Sequence, residues 1–192
     1  MKKKVVIFLL VFSCFLAGCT VKPIDSINKD AINFAKEYDI SEKNPFKYKT
    51  DKEIIKILTE GTGIIYFGFP ECPWCKGMMK EFNNALNEKK VKEAFYFNPM
   101  KIRSENTKEY KEIVRLLGKY LANDKDGNKR LYVPEVVIVK NGEILGNNLE
   151  LSKINNISGN TEEYFTETKN KEIKQSFIDM IEKLYSTDCH KC

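Results

Sequence analysis

Apolar residues recur along the chain with two periods, one suited to helices and one to strands, and the alternation sets out an order of elements. Asp30 to Tyr38, with Ile32, Phe34, Ala35 and Tyr38, predicts a short helix, and Asn44 to Tyr48 reads as irregular chain or a short edge strand. Thr50-Asp51-Lys52-Glu53 has capping-box spacing. Ile54, Ile55, Ile57 and Leu58 follow at helical intervals, and Gly61 stops that helix. Gly63 to Phe69 is continuously apolar, the pattern of a central strand covered on both faces. A third helix runs from Cys75 through Phe82, Ala85 and Leu86 to Asn87 or Lys89, and Ala94 to Asn98 is a strand closed by Pro99. Tyr110, Ile113, Val114, Leu116, Leu117, Tyr120 and Leu121 mark a strongly amphipathic helix. Val136 to Val139 and Glu143 to Gly146 are strands joined by Asn141-Gly142, the pair favoured where a two-residue turn needs positive φ at both positions. A polar loop, Asn147 to Gly159, leads to a last helix, Glu163 to Tyr185, which turns Phe177, Ile178, Ile181, Leu184 and Tyr185 inward. The order predicts an α/β fold: a mixed sheet flanked by helices, a parallel set joined to one C-terminal antiparallel hairpin.

The N-terminus changes this picture by assigning a compartment. Met1-Lys2-Lys3-Lys4 is a basic start, and Val5 to Leu16 is an apolar run too short for an ordinary spanning helix, as in an export signal. Leu16-Ala17-Gly18-Cys19 resembles the lipobox of bacterial lipoproteins. That resemblance implies cleavage before Cys19 and a lipid on its sulfur, which would hold the chain on the outer face of the cytoplasmic membrane, in the cell envelope. A plain secretory signal and an uncleaved anchor are the other readings of the same residues. The expected organisation is a signal peptide over 1–18, a tether and N-terminal extension over 19–43, and one folded domain over 44–192. Of the formal net charge of +5, Lys2, Lys3 and Lys4 supply three, so the chain from Cys19 onward carries about +2. That is too little to point to nucleic acid.

Candidate chemistry concentrates in Glu71-Cys72-Pro73-Trp74-Cys75-Lys76, between the apolar strand and the helix that follows. Cys-x-x-Cys spacing brings two sulfurs together across one helical turn. Pro73 suits the first helical position, where no N–H is needed. Unpaired N–H groups and the positive end of the helix dipole then favour a thiolate on Cys72, with Cys75 in reach to resolve an intermediate. Lys76 adds a nearby positive charge that solvent screens. A thiolate paired with a second thiol is the working part of a disulfide exchanger. Zinc binding and an inert disulfide are the competing uses; zinc needs four ligands, and a second pair does exist in Cys189-His190-Lys191-Cys192. Asn123 to Asn128 has the outline of a calcium loop, but Lys129 stands where that loop needs glycine and Pro134 interrupts the second helix, so a plain turn is expected.

Tyr66 to Cys75 resembles the strand-to-active-site segment of thioredoxin-like proteins, and Val133-Pro134 followed by a strand and Asn-Gly resembles their cis-proline segment. Within that superfamily the chain is similar, over residues 44–192, to the bacteriocin transport accessory group of lipoproteins. The resemblance implies a thioredoxin-like domain with a helical insertion around Tyr110 to Leu121, before the cis-proline. It implies that Pro134 is cis and lies beside the two sulfurs, that the Val133 backbone offers an edge to an extended peptide, and that Trp74 forms a rim of the substrate surface. The implied activity is thiol-disulfide exchange with exported proteins or peptides, without a cofactor or metal, coupled to a redox partner that the sequence does not identify. Two positions depart from the thioredoxin pattern. Tyr66 stands where thioredoxins bury an acid that helps deprotonate the second cysteine, and the dipeptide between the cysteines, Pro73-Trp74, resembles that of glutaredoxins.

In such a fold the last helix runs away from the active-site end, and at about 1.5 Å per residue it carries the tail on the order of 30 Å off. Cys189 and Cys192 are therefore expected to be separate from Cys72 and Cys75. A surface disulfide is the preferred reading, beside a second exchange site or a lone metal pair. Two rival functions stand against exchange: a non-catalytic accessory or binding subunit of an export system, and a metal carrier or sensor.

Overall fold

The apolar run at Gly63 becomes the axis of the sheet. In the computed structural model, which describes residues 28–148 and 160–186, β2 (Gly63–Phe67) buries Ile64, Ile65, Tyr66 and Phe67 completely. Consecutive strand residues point to opposite faces, so both faces of β2 are covered. On one side it pairs in parallel with β3 (Ala94–Phe97), which pairs in parallel with the short edge strand β1 (Phe46–Tyr48). On the other side it pairs antiparallel with β4 (Glu135–Lys140), and β4 with β5 (Glu143–Asn147). The order β1-β3-β2-β4-β5 is the expected mixed sheet with a C-terminal hairpin, consistent with a thioredoxin-like fold.

The helices flank this sheet. α1 (Lys29–Tyr38) lies within the 19–43 segment and places Phe34 and Tyr38 in the core. α2 (Asp51–Glu60) starts on the anticipated capping box, with Thr50 accepting from the Glu53 N–H and the Glu53 carboxylate accepting from the Thr50 N–H. α3 (Pro73–Glu88) carries the cysteine pair, and α4 (Met100–Ser104) and α5 (Lys108–Leu117) precede the hairpin. α6 (Thr161–Tyr164) and α7 (Glu167–Ser186) end the described chain. α7 packs along α3, with Phe177 and Phe82 ring centroids 4.6 Å apart. The hairpin turns at Asn141 (φ 50°) and Gly142 (φ 77°) as Asn-Gly predicts. A Cβ on Gly142 would stand 2.1 Å from the Thr59 carbonyl oxygen, so this turn needs glycine both for its backbone angle and for its seat against α2.

Three differences from the sequence pattern have local causes. The helix expected from Tyr110 to Leu121 stops at Leu117, because Gly118 turns to φ 41° and a 3₁₀ turn (Gly118–Tyr120) follows. α4 was not anticipated; it is a single turn too short for a period to register. The helix expected from Glu163 to Tyr185 is two helices, because Phe165 leaves helical geometry and the Thr166 hydroxyl caps the second by accepting from the Lys169 N–H. Cys19, Cys189, His190 and Cys192 lie outside the described residues, so the lipid anchor and the second cysteine pair have no counterpart here.

One face of the sheet is an aromatic layer. Phe34 stacks on Phe46 at 3.9 Å and on Tyr38 at 4.4 Å, while Tyr66 stacks on Tyr96 at 5.6 Å. The Tyr66 hydroxyl donates to the Tyr38 hydroxyl at 3.2 Å, and the Tyr38 hydroxyl donates to that of Tyr96 at 3.4 Å. Burial is the main cause that pushes all three phenols far above their ordinary range. A group held neutral by the fold contributes fully below its unfolded pKa of about 10, and the contribution is lost as pH rises past that value. Of the nine tyrosines, Tyr38, Tyr66 and Tyr96 are therefore expected to stay silent in phenolate absorbance until the protein unfolds in alkali. Reversible ionisation of all nine in the folded protein, monitored by absorbance and circular dichroism together, would contradict this.

Candidate active site

Cys72 is the N-cap of α3 and Pro73 its first helical residue, so the sequence signal for the helix start is also what positions the sulfur. Cys72 is extended (φ −81°, ψ 114°), and this aims its Sγ back at the open end of the helix, where it accepts from the Cys75 N–H at 3.2 Å. The Cys72 carbonyl accepts from the Lys76 N–H at 3.1 Å and begins the helical ladder. Both cysteines are free thiols, Cys72 with 7% of its surface exposed and Cys75 with none.

The two sulfurs are placed in opposite electrostatic conditions. The Cys72 thiol is held below the ordinary thiol range, first by its hydrogen bond with the Cys75 thiol. The Cys75 and Trp74 backbone N–H groups and the charge of Arg103 add to this, and partial burial opposes it. Cys75 is pushed far upward, first by burial and then by its contacts with Cys72; the Phe69 backbone and the Tyr66 hydroxyl offset part of that. At neutral pH the arrangement favours a nucleophilic, barely exposed sulfur at the helix start and a protonated, fully buried one beneath it.

Two glycines make the local packing feasible. A Cβ on Gly68 would meet the Tyr66 hydroxyl at 2.1 Å, so the Tyr66 ring fits beneath the 68–72 loop only because Gly68 has no side chain. A Cβ on Gly77 would meet the Phe165 ring at 2.2 Å, so Phe165 lies directly on the first turns of α3. Trp74 is half-buried against this segment, with ring centroids 5.0 Å from Tyr164 and 5.6 Å from Phe165. Its ring therefore has one side packed by α6 rather than standing free.

The Val133–Pro134 bond is cis, as the resemblance implied. Phe67 is in register with Glu135, which places Pro134 at the end of the sheet where β2 gives way to the loop 68–72. Val133 and Pro134 are buried, and no hydrogen bond of the Val133 backbone is found among the described residues.

Arg103, on the unanticipated α4, was not singled out from the sequence. Its guanidinium lies 6.0 Å from the Phe69 ring centroid and donates to the Leu131 carbonyl at 3.4 Å, so α4 delivers the cation that acts on Cys72. Lys76 is exposed on α3. Glu135, which the calcium-loop outline would have used as its last ligand, is instead fully buried beside Pro134, with Oε1 accepting from Asn147 Nδ2 at 2.7 Å; a single acid inside a strand pattern gives no periodic signal of that burial. The 123–128 segment is a turn in which the Asp124 carboxylate accepts from the Asp126 and Asn128 N–H groups at 3.0 and 2.8 Å. Among the described residues no three His, Cys, Asp or Glu side chains gather as metal ligands, and no helix is long and apolar enough to cross a membrane.

Comparison of the chain with protein-family models, with curated proteins and with solved structures finds no match.

If Arg103 acts on Cys72 through space, Arg103→Gln should raise the pH midpoint of Cys72 alkylation and slow its reaction with neutral iodoacetamide at pH 7 about two- to fivefold. An unchanged rate–pH profile would remove Arg103 from the site.

Proposed function

We propose that the chain is a membrane-anchored, extracytoplasmic thiol-disulfide oxidoreductase that exchanges disulfides with exported proteins or peptides through Cys72 and Cys75. On this reading it is a thioredoxin-like lipoprotein similar to the bacteriocin transport accessory group, held to the envelope through Cys19. The observation that carries the reading is the split between the two sulfurs: a thiol favoured as thiolate at a helix N-terminus, against a buried thiol favoured as protonated.

In the reductive direction the Cys72 thiolate attacks a substrate disulfide, and one substrate sulfur leaves with the electron pair. Cys75 then attacks Cys72 and gives up its proton. The second substrate sulfur leaves as a thiolate, and the Cys72–Cys75 disulfide remains. Two electrons pass from the protein dithiol to the substrate disulfide; the oxidative direction is the same sequence reversed. Support for peptide docking comes from the Val133 backbone, which precedes β4 without a described hydrogen-bond partner and suits pairing with an extended chain. Trp74, with one ring side packed, would present its remaining surface beside Cys72.

A Cys75→Ser chain, expressed in its own envelope, should accumulate mixed disulfides through Cys72, and the wild-type pair should cycle between dithiol and disulfide with a measurable potential. A Cys72→Ser chain that retained full cellular function would instead favour the non-catalytic accessory role.

A further inference from the structure

In the step that releases substrate, Cys75 must lose a proton although it has no exposed surface. Above it, Cys72 is bonded to substrate at that moment. Beneath it, three phenol hydroxyls stand in file. The Tyr66 hydroxyl is the phenol that acts on the Cys75 thiol; it lies 3.2 Å from that of Tyr38, which lies 3.4 Å from that of Tyr96. Tyr96 lines an open cleft together with Glu37, Tyr48 and Glu71. The file is held in place: Gly68 leaves room for the Tyr66 hydroxyl, Tyr66 and Tyr96 are stacked, and Tyr38 meets both edge-on.

We propose that Tyr66, Tyr38 and Tyr96 form a proton path from the Cys75 thiol to the surface cleft beside Glu37. The proposal rests on the exchange reading above and names how its second half runs. As the Cys75–Cys72 bond forms and the Cys72–substrate bond breaks, the Cys75 proton passes to the Tyr66 oxygen. The Tyr66 hydroxyl proton passes to Tyr38, that of Tyr38 to Tyr96, and that of Tyr96 to water in the cleft. The electron pair leaves with the substrate sulfur, and each phenol is neutral before and after. The transfer must be concerted, because burial disfavours a phenolate at each of the three positions. Both O···O distances exceed the usual hydroxyl spacing of about 2.7–2.8 Å, so the rings must close by a few tenths of an ångström as the protons move. Besides the cysteines, the charged and titratable groups facing the file are Glu37 from α1, Tyr48 from β1 and Glu71 from the loop before Cys72.

The test is a stopped-flow reaction of the reduced full-length chain with 2,2′-dithiodipyridine, a neutral disulfide. The first thione released reports attack by Cys72 and serves as the internal reference; the second reports attack by Cys75. Tyr66→Phe, Tyr38→Phe and Tyr96→Phe should each slow the second release about 10- to 100-fold relative to the first. Tyr38→Phe and Tyr96→Phe decide the matter, since neither side chain touches sulfur. In the wild-type chain, which needs no variant to fold, the second release should show a solvent deuterium isotope effect with a curved proton inventory. Second release at the wild-type rate in Tyr38→Phe and Tyr96→Phe, or a linear inventory, would overturn the path and send the proton out with the substrate sulfur. Absence of the first release would refute the exchange reading itself, and the path with it.

Discussion

The hydrogen bond from the Cys75 N–H to the Cys72 sulfur joins the fold to its chemistry. It exists because the chain turns from an extended residue at Cys72 into a helix at Pro73, leaving N–H groups that the helix cannot satisfy from within. An acceptor carrying negative charge is the best partner for such a helix end. Nearby elements keep that end in place. β2 runs through the middle of the sheet and delivers the loop to the helix start, and Phe82 against Phe177 fixes α3 along α7. Gly68 and Gly77 let two aromatic rings pack where side chains would otherwise push the turn away.

From this arrangement the two cysteines acquire different states without any buried acid in β2. Cys72 sits where N–H groups and Arg103 favour charge; Cys75, one helical turn further in, sits where burial opposes it. The sheet face under Cys75 is aromatic, and what it offers is a set of hydroxyls that donate and accept without ionising. That makes the layer a neutral support for the buried Cys75 sulfur, with β1, β2, β3 and α1 each contributing a ring.

Much of this was readable from residue order. The apolar run at Gly63, the Cys-Pro-Trp-Cys start, the Thr50 capping box and the Asn-Gly turn each encode structure within a few residues, and all four fold as their local chemistry directs. What the order of residues hid depends on distant contact. Arg103 reaches the site only because a short helix folds against Phe69 and Leu131. Tyr38 and Tyr96 are far apart in the chain and look like ordinary core aromatics until their hydroxyls are seen to meet. The break at Phe165 likewise follows from its seat on Gly77, a contact no period can announce. Cys19, where the sequence leads one to expect a lipid, and the C-terminal cysteines fall outside the described residues, and their proposed roles stay on the footing the sequence provides.

Thiolate absorbance near 240 nm, followed across pH in the reduced wild-type chain and in Cys72→Ser, tests the division of labour between the sulfurs most directly. The account predicts one thiolate appearing below the ordinary thiol range of about 8.5 and absent from Cys72→Ser, with no second thiolate until the protein unfolds. Two thiolates rising together at or above that range would contradict it.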